Sequence, residues 1–280
     1  MKLVRTIAEL RAIRPTWPEL GLVPTMGFLH VGHLSLLDQA RAECGAAAVS
    51  IFVNPTQFGP NEDLARYPRD LPRDLLLLEQ AGAVLAFVPE PGEIYPPGFS
   101  SRIEVGAIGE PLEGAVRPGH FSGVATVVAK LVNIVQPTRI YFGQKDAQQC
   151  AVVRRMLRDL DLPVTMVVGD TVREPDGLAM SSRNSYLSPE QRAQAPVLYR
   201  ALGAARSAFD DGERDADALR RTVRAILSQE PGLEPDYVSV ATLDSLVELS
   251  RVDAPALVSL AVRFGSTRLI DNVVLDPAGI

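Results

Sequence analysis

The chain has 280 residues, of which 46% are hydrophobic and 22% are charged, so it can bury a core and is not disordered as a whole. Its 28 lysines and arginines against 34 aspartates and glutamates give a net charge of −6, which lacks the basic excess expected of a nucleic-acid-binding protein. With two cysteines and no apolar run of ~20 residues, a disulfide framework and a membrane span are excluded, so we expect a cytoplasmic protein with no nucleic-acid or membrane partner.

Short apolar runs alternate with stretches of helical periodicity over the first 170 residues. This alternation predicts a parallel sheet with crossover helices, and ligands of such sheets bind beyond the carboxyl ends of the strands. The predicted strands are residues 20–23, 47–53, 84–88, 139–142 and 164–168, and the predicted helices are residues 33–44, 69–81, 119–135 and 147–160.

The pattern changes after about residue 171. Helices are predicted first, at residues 189–212 and 215–229, and strands follow at residues 237–241, 257–262 and 268–270. Helices followed by strands indicate a separate α+β unit. We therefore predict an α/β protein with a Rossmann-like parallel-sheet domain over residues 1–172 and a smaller α+β domain over residues 173–280.

Two of the three histidines flank a glycine at the first predicted strand-to-helix junction. His30 and His33 bracket Gly32 in the stretch Pro-Thr-Met-Gly-Phe-Leu-His-Val-Gly-His, which starts at residue 24. Glycines allow a ligand close to the backbone, a helix start offers N–H groups, and imidazoles add donors, so the pattern predicts an anion site. A single histidine at a helix start is more often a cap. Zinc is the alternative ligand, disfavoured because no third ligand cluster is evident.

Four further polar segments fall in predicted loops, and each is also typical of an ordinary turn. Residues 143–146 (Gly-Gln-Lys-Asp) would hold a phosphate through the lysine, with the aspartate as a helix cap or as a ligand of a ribose hydroxyl or Mg²⁺. Residues 180–184 (Met-Ser-Ser-Arg-Asn) would form a phosphate clamp. Residues 52–58 suit a small hydroxylated ligand, and residues 117–121 are either a turn or a loop near the site. No Gly-x-Ser-x-Gly nucleophile motif occurs, which favours nucleotide chemistry by positioning and electrostatics.

Taken together, these motifs resemble a known enzyme family. His30-Val31-Gly32-His33 is similar to the "HIGH" signature of the nucleotidyltransferase superfamily that includes class I aminoacyl-tRNA synthetases, and residues 180–183 resemble its "KMSKS" counterpart. The flanking motifs are more specific and resemble the pantoate–β-alanine ligase (pantothenate synthetase) family, in that family's order and over nearly the whole chain. They are residues 24–27, 52–58, 65–69, 117–121, 143–149, 181–184 and 268–272.

The resemblance implies an activity, substrates and an assembly. The family joins (R)-pantoate to β-alanine with ATP through an enzyme-bound pantoyl-adenylate, and it releases AMP and diphosphate. ATP is a substrate that brings Mg²⁺ with it, and the product serves pantothenate and coenzyme A biosynthesis. By the same resemblance, we expect a homodimer.

The resemblance also implies roles for individual residues. His33 and His30, together with Lys145, would be the catalytic residues, and His33 is usually described in the family as a proton donor. Gln57 and Gln149 would bind pantoate, and Gln57 would also contact β-alanine. The walls of that pocket would be Phe52, Asn54 and Phe142. The ATP site would comprise Met26, Gly27, Phe28, Leu29, His30, Val31, Gly32, His33, Gly143, Gln144, Lys145, Asp146, Val172, Met180, Ser181, Ser182 and Arg183.

Two positions depart from the family pattern. Thr56 stands where many relatives have methionine, which bears on the fit of the pantoate pocket and not on the reaction class. Gln144 stands where some relatives have glutamate, beside the Lys-Asp pair.

Two other functions stay open on the sequence. A nucleotidyltransferase that keeps the nucleotide on its product would share the His-x-Gly-His site but would not need Gln57 and Gln149. A non-catalytic nucleotide sensor would bind ATP without pantoate-dependent exchange of diphosphate into ATP. A tRNA synthetase is disfavoured by the acidic balance and by the missing anticodon-binding region.

Overall fold

The apolar runs of the first part of the chain form one six-stranded sheet in the computed structural model, which describes residues 1–60 and 62–278. The strands are β1 (Lys2–Val4), β2 (Gly21–Thr25), β3 (Ala47–Ile51), β4 (Leu85–Phe87), β5 (Arg139–Gly143) and β6 (Thr165–Gly169). Every strand pair is parallel, and the strand order is β1-β4-β3-β2-β5-β6. The predicted fold class is thereby confirmed for this region.

Helices cover both faces of this sheet. They are α1 (Ile7–Ile13), α2 (Val31–Cys44), α3 (Leu71–Gln80), α4 (Pro91–Ile94), α5 (Glu113–Val116), α6 (His120–Val135) and α7 (Ala147–Asp159). Leu22 belongs to an apolar cluster with α6 and α7, whereas its strand neighbour Val23 belongs to a second cluster with α2 and α3. Successive strand residues face opposite sides, so these two clusters are the two layers of a doubly wound fold. None of the helices in the described part of the chain is long and apolar enough to cross a membrane.

The order of the strands places a switch point beside β2. From β2 the chain runs through α2 to β3 on one side, whereas β5 pairs with β2 on the other side. Ligands of open α/β sheets bind where the strand order reverses, beyond the carboxyl ends of the strands. In this sheet that place is the end of β2 at Thr25 and the end of β5 at Gly143.

The chain divides into two compact units. The first contains residues 1–144 and 148–170, and the second contains residues 145–147 and the described residues from 171 onward. The second unit has helices α8 (Pro189–Gln194), α9 (Val197–Asp210) and α10 (Ala216–Leu227). Its strands are β7 (Pro235–Thr242), β8 (Ala256–Phe264) and β9 (Thr267–Leu275), which form an antiparallel sheet in chain order.

Two predicted elements differ from the structure, and β1, α1, α4 and α5 were not predicted. The single helix predicted over residues 189–212 is two helices, because Pro196 lies between them as the N-cap of α9 and has no N–H to continue α8. β9 continues to Leu275, past the predicted end at residue 270, because Asp271 and Asn272 are buried strand residues and do not end the strand. β1 was not predicted, since its three residues carry no apolar run and two of them are exposed.

Candidate active site

The segment between β2 and α2 has an unusual backbone. This histidine loop, residues 26–33, contains two consecutive left-handed residues, Gly27 at φ 84° and Phe28 at φ 52°. A Cβ atom on Gly27 would lie 3.0 Å from Cγ2 of Ile51 and 3.1 Å from Oδ2 of Asp74, so both the backbone angle and the available space require glycine here. A bulky residue such as Phe28 rarely adopts this conformation, so the surrounding structure must hold it.

A buried carboxylate holds the loop. The N–H of Phe28 donates to Oδ2 of Asp74 at 2.7 Å, and the N–H of Leu29 donates to Oδ1 at 2.8 Å. Asp74 lies on α3 and is 1% exposed, and burial raises the pKa of its carboxyl against the lowering effect of these two donors. Its neighbour Arg73 donates to the carbonyl of Leu29 at 3.0 Å and lies 5.5 Å from the centre of the Phe28 ring.

The two loop histidines contact each other. The backbone N–H of His30 donates to Nδ1 of His33 at 3.3 Å, and the two ring centres are 4.0 Å apart. Because a backbone N–H can only donate, Nδ1 of His33 is the acceptor, and the proton of the neutral ring lies on Nε2. Across residues 1–60 and 62–278, no group of three or more His, Cys, Asp or Glu side chains is arranged to hold a metal ion.

The amide side chains after β3 form a buried cluster with the loop. Nδ2 of Asn54 donates to Oε1 of Gln57 at 3.1 Å, and Nε2 of Gln57 points to Sδ of Met26 at 3.1 Å. Asn54 is 1% exposed and Gln57 is 9% exposed. The structure therefore brings together three predicted site residues, one from the histidine loop and two from the segment after β3.

Thr56, which departs from the family pattern, belongs to this cluster. The Thr56 hydroxyl donates to Oδ1 of Asn54 at 2.9 Å, and the hydroxyl of Tyr95 donates to the same oxygen at 2.8 Å. Burial raises the pKa of Tyr95, which keeps its hydroxyl protonated as a donor. A threonine at this position thus fixes the orientation of the Asn54 amide. Sequence reasoning missed Tyr95, which carries no motif and lies 41 residues from Asn54.

A series of hydrogen-bonded side chains, from Glu62 through Arg117 to His120, supports the backbone of Gln57. Arg117 donates to both carboxylate oxygens of Glu62, at 2.9 and 2.6 Å, and its Nη1 lies 3.0 Å from Nε2 of His120. A guanidinium can only donate, so Nε2 of His120 accepts and Nδ1–H donates to the carbonyl of Gln57 at 2.8 Å. Burial is the main cause that lowers the pKa of His120 to about 4, and the positive charge of Arg117 is the second. The segment that the sequence left ambiguous is therefore both a helix start and a support of Gln57.

The two neighbouring glutamines of α7 have different surroundings. Gln148 is buried, donates to the carbonyls of Ile108 and Pro111 at 3.1 and 2.8 Å, and accepts the N–H of Glu113 at 3.0 Å. Gln149 is half-buried and follows it directly. Gln148 is thus committed to a loop, and the pantoate-binding role of Gln149 stays a prediction.

The second unit contains the other predicted nucleotide residues. Lys145, Ser181, Asn184 and Asp271 are among the residues that line one small cleft. The carbonyl of Lys145 accepts a hydrogen bond from Nδ2 of Asn272 at 2.9 Å. This contact gives a physical role to a residue of the motif at positions 268–272.

The segment of residues 180–184, here called the serine segment, is held by short-range contacts. Met180 donates its N–H to the carbonyl of Val172 at 3.0 Å, which pairs two residues predicted for the ATP site. Oγ of Ser181 accepts the N–H of Arg183 at 3.2 Å at the start of a 3-10 turn, and Ser182 is buried. The predicted residues therefore form two sets, with the histidine loop, Gln57, Gly143, Gln144 and Gln149 in the first unit and Lys145, Asp146, Val172 and residues 180–183 in the second.

Sequence reasoning also missed a buried ion pair in the second unit. Arg173 donates to both carboxylate oxygens of Asp271, at 2.6 and 2.9 Å, and its guanidinium lies 3.8 Å from the centre of the Tyr199 ring. Asp271 is 2% exposed, and the paired charge explains how a carboxylate is buried within β9. The two residues are 98 positions apart, so only the fold could identify the pair.

The sheet is doubly wound and parallel, and the glycine-containing histidine loop lies at its switch point. A polar cluster at the carboxyl ends of the strands is typical of α/β enzymes. The model of the family described as pantoate-beta-alanine ligase matches residues 2–274. The chain belongs to this family, and the predicted enzyme class, a ligase, is confirmed.

Similar proteins support this family over the full length of the chain. The pantothenate synthetase of Herpetosiphon aurantiacus is 63% identical and covers 98% of this chain and 100% of its own. That of Chloroflexus aurantiacus is 62% identical, with 100% of both chains covered.

Solved structures agree with the fold. Pantothenate synthetase from Thermus thermophilus is 52% identical, with a TM-score of 0.93 over 98% of this chain and 99% of that one. The pantoate-beta-alanine ligase of Francisella tularensis, complexed with beta-gamma ATP and β-alanine, is 34% identical, with a TM-score of 0.80 over 98% and 97% of the two chains.

Proposed function

We propose that the chain condenses (R)-pantoate with β-alanine in an ATP-dependent reaction that passes through pantoyl-adenylate and releases AMP and diphosphate. The observation that carries this proposal is the buried cluster in which Gln57 connects the Asn54 amide to Met26 of the histidine loop. A cluster of fixed amides suits an acid with hydroxyl groups, and the loop beside it suits a nucleotide. The Francisella relative, complexed with beta-gamma ATP and β-alanine, supports ATP and β-alanine as substrates.

In the first step, the carboxylate of pantoate attacks the α-phosphorus of ATP and diphosphate leaves. Two anions must approach each other, so donors around the phosphates must offset their repulsion. Nε2–H of His33 is one such donor, because Nδ1 of the same ring accepts the N–H of His30. A carboxylate is already ionised at neutral pH, so this step needs no general base. In this mechanism His33 stabilises charge in the transition state, in company with His30 and Lys145.

The other residues of the ATP site are those that the family resemblance implied. Residues 26–33, Gly143 and Gln144 supply the part in the first unit, and Lys145, Asp146, Val172 and Met180 to Arg183 supply the part in the second. Mg²⁺ would enter with the nucleotide, held through phosphate oxygens as is usual for this ion, and the carboxylate of Asp146 lies 3.7 Å from Nζ of Lys145. In this proposal residues 1–172 are the nucleotide- and pantoate-binding domain and residues 173–280 are a lid domain, the bounds predicted from the sequence.

In the second step, the amine of β-alanine attacks the carbonyl of the mixed anhydride and AMP leaves. Gln57 and Gln149 hold the pantoyl group, and Gln57 also contacts β-alanine. The ammonium of β-alanine must lose a proton before it attacks. Water must be kept from the labile anhydride until then, which is the purpose of the lid.

The test is an assay in which each of the three substrates is omitted in turn. AMP release is measured with ATP, pantoate and β-alanine together and with each one left out. Release that requires all three supports the proposal. Diphosphate release without AMP would indicate a nucleotidyltransferase that keeps the nucleotide on its product, and ATP binding without turnover would indicate a sensor.

A second measurement isolates the adenylate. With pantoate present and β-alanine absent, labelled diphosphate should exchange into ATP, because the first step is reversible while the intermediate stays bound. Absence of this exchange in an enzyme that still makes AMP with all three substrates would rule out the adenylate route.

The assembly is a separate part of the proposal. The family resemblance favours a homodimer, and most soluble oligomers have twofold symmetry. Light scattering on the purified protein gives the mass directly, and a monomer mass across the working concentration range would contradict this part alone.

A further inference from the structure

The histidine loop is held by a charged residue that has been given no role in the reaction. The carboxylate of Asp74 accepts the N–H groups of two successive loop residues, Phe28 and Leu29, at 2.7 and 2.8 Å. Both of its oxygens are used, and its side chain is 1% exposed. A buried carboxylate loses its hydration, so a site that only needed to be filled would favour an apolar side chain.

The backbone that it holds does not form easily. Gly27 and Phe28 both have positive φ angles, and for phenylalanine this conformation is unfavourable. The two N–H groups of residues 28 and 29 converge because of these angles, and converging N–H groups form a concave anion site. In this loop that anion site is filled by a side chain of the protein itself.

Arg73 adds a second set of contacts to the same three residues. It donates to the carbonyl of Leu29 at 3.0 Å, lies 5.5 Å from the Phe28 ring centre, and is 3.7 Å from Oδ1 of Asp74. Two adjacent residues at the start of α3 therefore hold both the N–H and the carbonyl side of the loop. The loop continues directly into His30, the N-cap of α2.

We propose that Asp74 is a positioning residue, which fixes the left-handed turn at Gly27 and Phe28 so that His30 and His33 are aimed at the nucleotide phosphates. The inference rests on the proposed function for the role of the histidines. It also has a consequence for phosphate binding. Because the N–H groups of Phe28 and Leu29 are bonded to a carboxylate, the phosphates are bound by the imidazoles and the first turn of α2 and not by those two amides.

The first test uses Asp74→Asn and a matched substitution on the same helix, Asp70→Asn. An asparagine at 74 has one acceptor oxygen, and its NH₂ group would face the second loop N–H, donor against donor. Asp70 is the N-cap of α3 and accepts the N–H of Arg73 at 3.2 Å, a bond that asparagine also forms. Both variants thus remove one charge from one helix, and only one of them changes the loop.

Amide exchange reports on the contact directly, without any reference to catalysis. We expect the amide of Phe28 or Leu29 to exchange on the order of ten-fold faster in Asp74→Asn, and at the wild-type rate in Asp70→Asn, since only the first variant frees a donor. In wild type, the amide proton shifts of both residues should follow the titration of the Asp74 carboxyl, and this response should vanish in Asp74→Asn. Unchanged exchange and an unchanged pH response in Asp74→Asn would overturn the inference.

Kinetics test the consequence for the histidines. Misplacement of a catalytic group by about 1 Å costs on the order of 10²-fold, so we expect kcat/KM for ATP to fall ~10–100-fold in Asp74→Asn. The KM for β-alanine should stay close to wild type, and Asp70→Asn should match wild type throughout. The kinetics are measured well below the melting temperature of Asp74→Asn, because an unpaired buried donor also lowers stability. A merely structural role predicts a lowered melting temperature with wild-type kinetics below it.

A second variant covers the case in which Asp74→Asn does not fold. Arg73→Gln removes the contacts to Leu29 and Phe28 while leaving the carboxylate in place, so a smaller loss in kcat/KM for ATP is expected. Wild-type kinetics in this variant, together with unfolding of Asp74→Asn, would assign Asp74 to stability alone. Failure of the proposed function would show differently, because the wild-type enzyme itself would then release no AMP in the omission assay.

Discussion

The histidine loop and the serine segment are both predicted to contact the nucleotide, yet they are held in different ways. The histidine loop depends on distant residues: Asp74 is 46 positions from Phe28, and Gln57 is 31 positions from Met26. In the serine segment, the backbone N–H of Met180 and the side chain of Ser181 bond to near neighbours, since Met180 pairs with Val172 and Ser181 caps its own turn, while the turn itself packs against β9. Hydrogen bonds from distant side chains are sensitive to changes throughout a unit, whereas hydrogen bonds between near neighbours are sensitive mainly to the local sequence.

The largest expected effect compares one predicted catalytic residue from each unit. Removing a well-placed donor to a developing charge costs about 10²–10³-fold in turnover. We expect losses of this size in AMP release for both His33→Ala and Lys145→Ala, with folding little changed, because both side chains are partly exposed. His33→Gln keeps an N–H donor near Nε2 and should retain more activity than alanine. Near-normal rates for both alanine variants would refute the assignment of both sets.

The next effect concerns how the stability of the first unit depends on pH. His120 has a pKa of about 4 in the folded protein because it is buried next to Arg117, against its ordinary value of 6.5 in the unfolded chain. Between these two values the unfolded chain binds one more proton, so stability is complete above about pH 6.5 and is lost as the pH falls towards 4. At about pH 5 the loss should be on the order of 2 kcal/mol.

Urea unfolding at about pH 7 and about pH 5 measures this difference. His120→Gln carries no titrating ring and can still donate an N–H to the carbonyl of Gln57, so its stability should change less between the two pH values. If wild type and variant lose equal stability, His120 is not the group responsible.

The sequence predicted the fold from the features that local pattern encodes. Apolar runs and helical periodicity located β2 to β6 and most helices, because burial within a sheet is visible in composition. The break between α8 and α9 is also visible in the sequence, because Pro196 is the N-cap of α9. The length of β9 could not be predicted, since Asp271 is a strand residue only because Arg173, 98 positions away, neutralises it.

The same reasoning separates the parts of the site. Motifs indicated Gln57, His30 and His33, whose roles stay predictions, but they did not indicate the residues that hold them. Asp74 appeared only as an acidic residue in the first turn of a helix, which is ordinary. Its contacts to loop amides depend on how α3 packs, and no local pattern encodes that.

A smaller effect compares three glutamines. Gln57→Ala and Gln149→Ala should raise the KM for pantoate on the order of ten-fold, which corresponds to about 1.4 kcal/mol of binding, with the KM for ATP little changed. Gln148→Ala is the control, because its bonds to Ile108, Pro111 and Glu113 are structural. It should lower the melting temperature and leave the KM for pantoate near wild type. A loss confined to ATP binding in the first two variants would show that the pocket is wrongly assigned.

The smallest effect compares one glycine from each unit. Gly27 has φ 84°, and a Cβ atom there would lie 3.0 Å from Cγ2 of Ile51. Gly203 lies within α9, and a Cβ atom there would have no described atom within 4 Å apart from the backbone of that helix. Gly27→Ala should therefore destabilise the protein by about 1–2 kcal/mol, since alanine is strained in the left-handed region. Gly203→Ala should stabilise it by about 0.5–1 kcal/mol, because alanine is the better helix former. Denaturant unfolding of both variants gives the two signs. A neutral or stabilising effect of Gly27→Ala would mean that the loop conformation at Gly27 relaxes to accept alanine, and the contrast between a strained loop and a regular helix would then not hold.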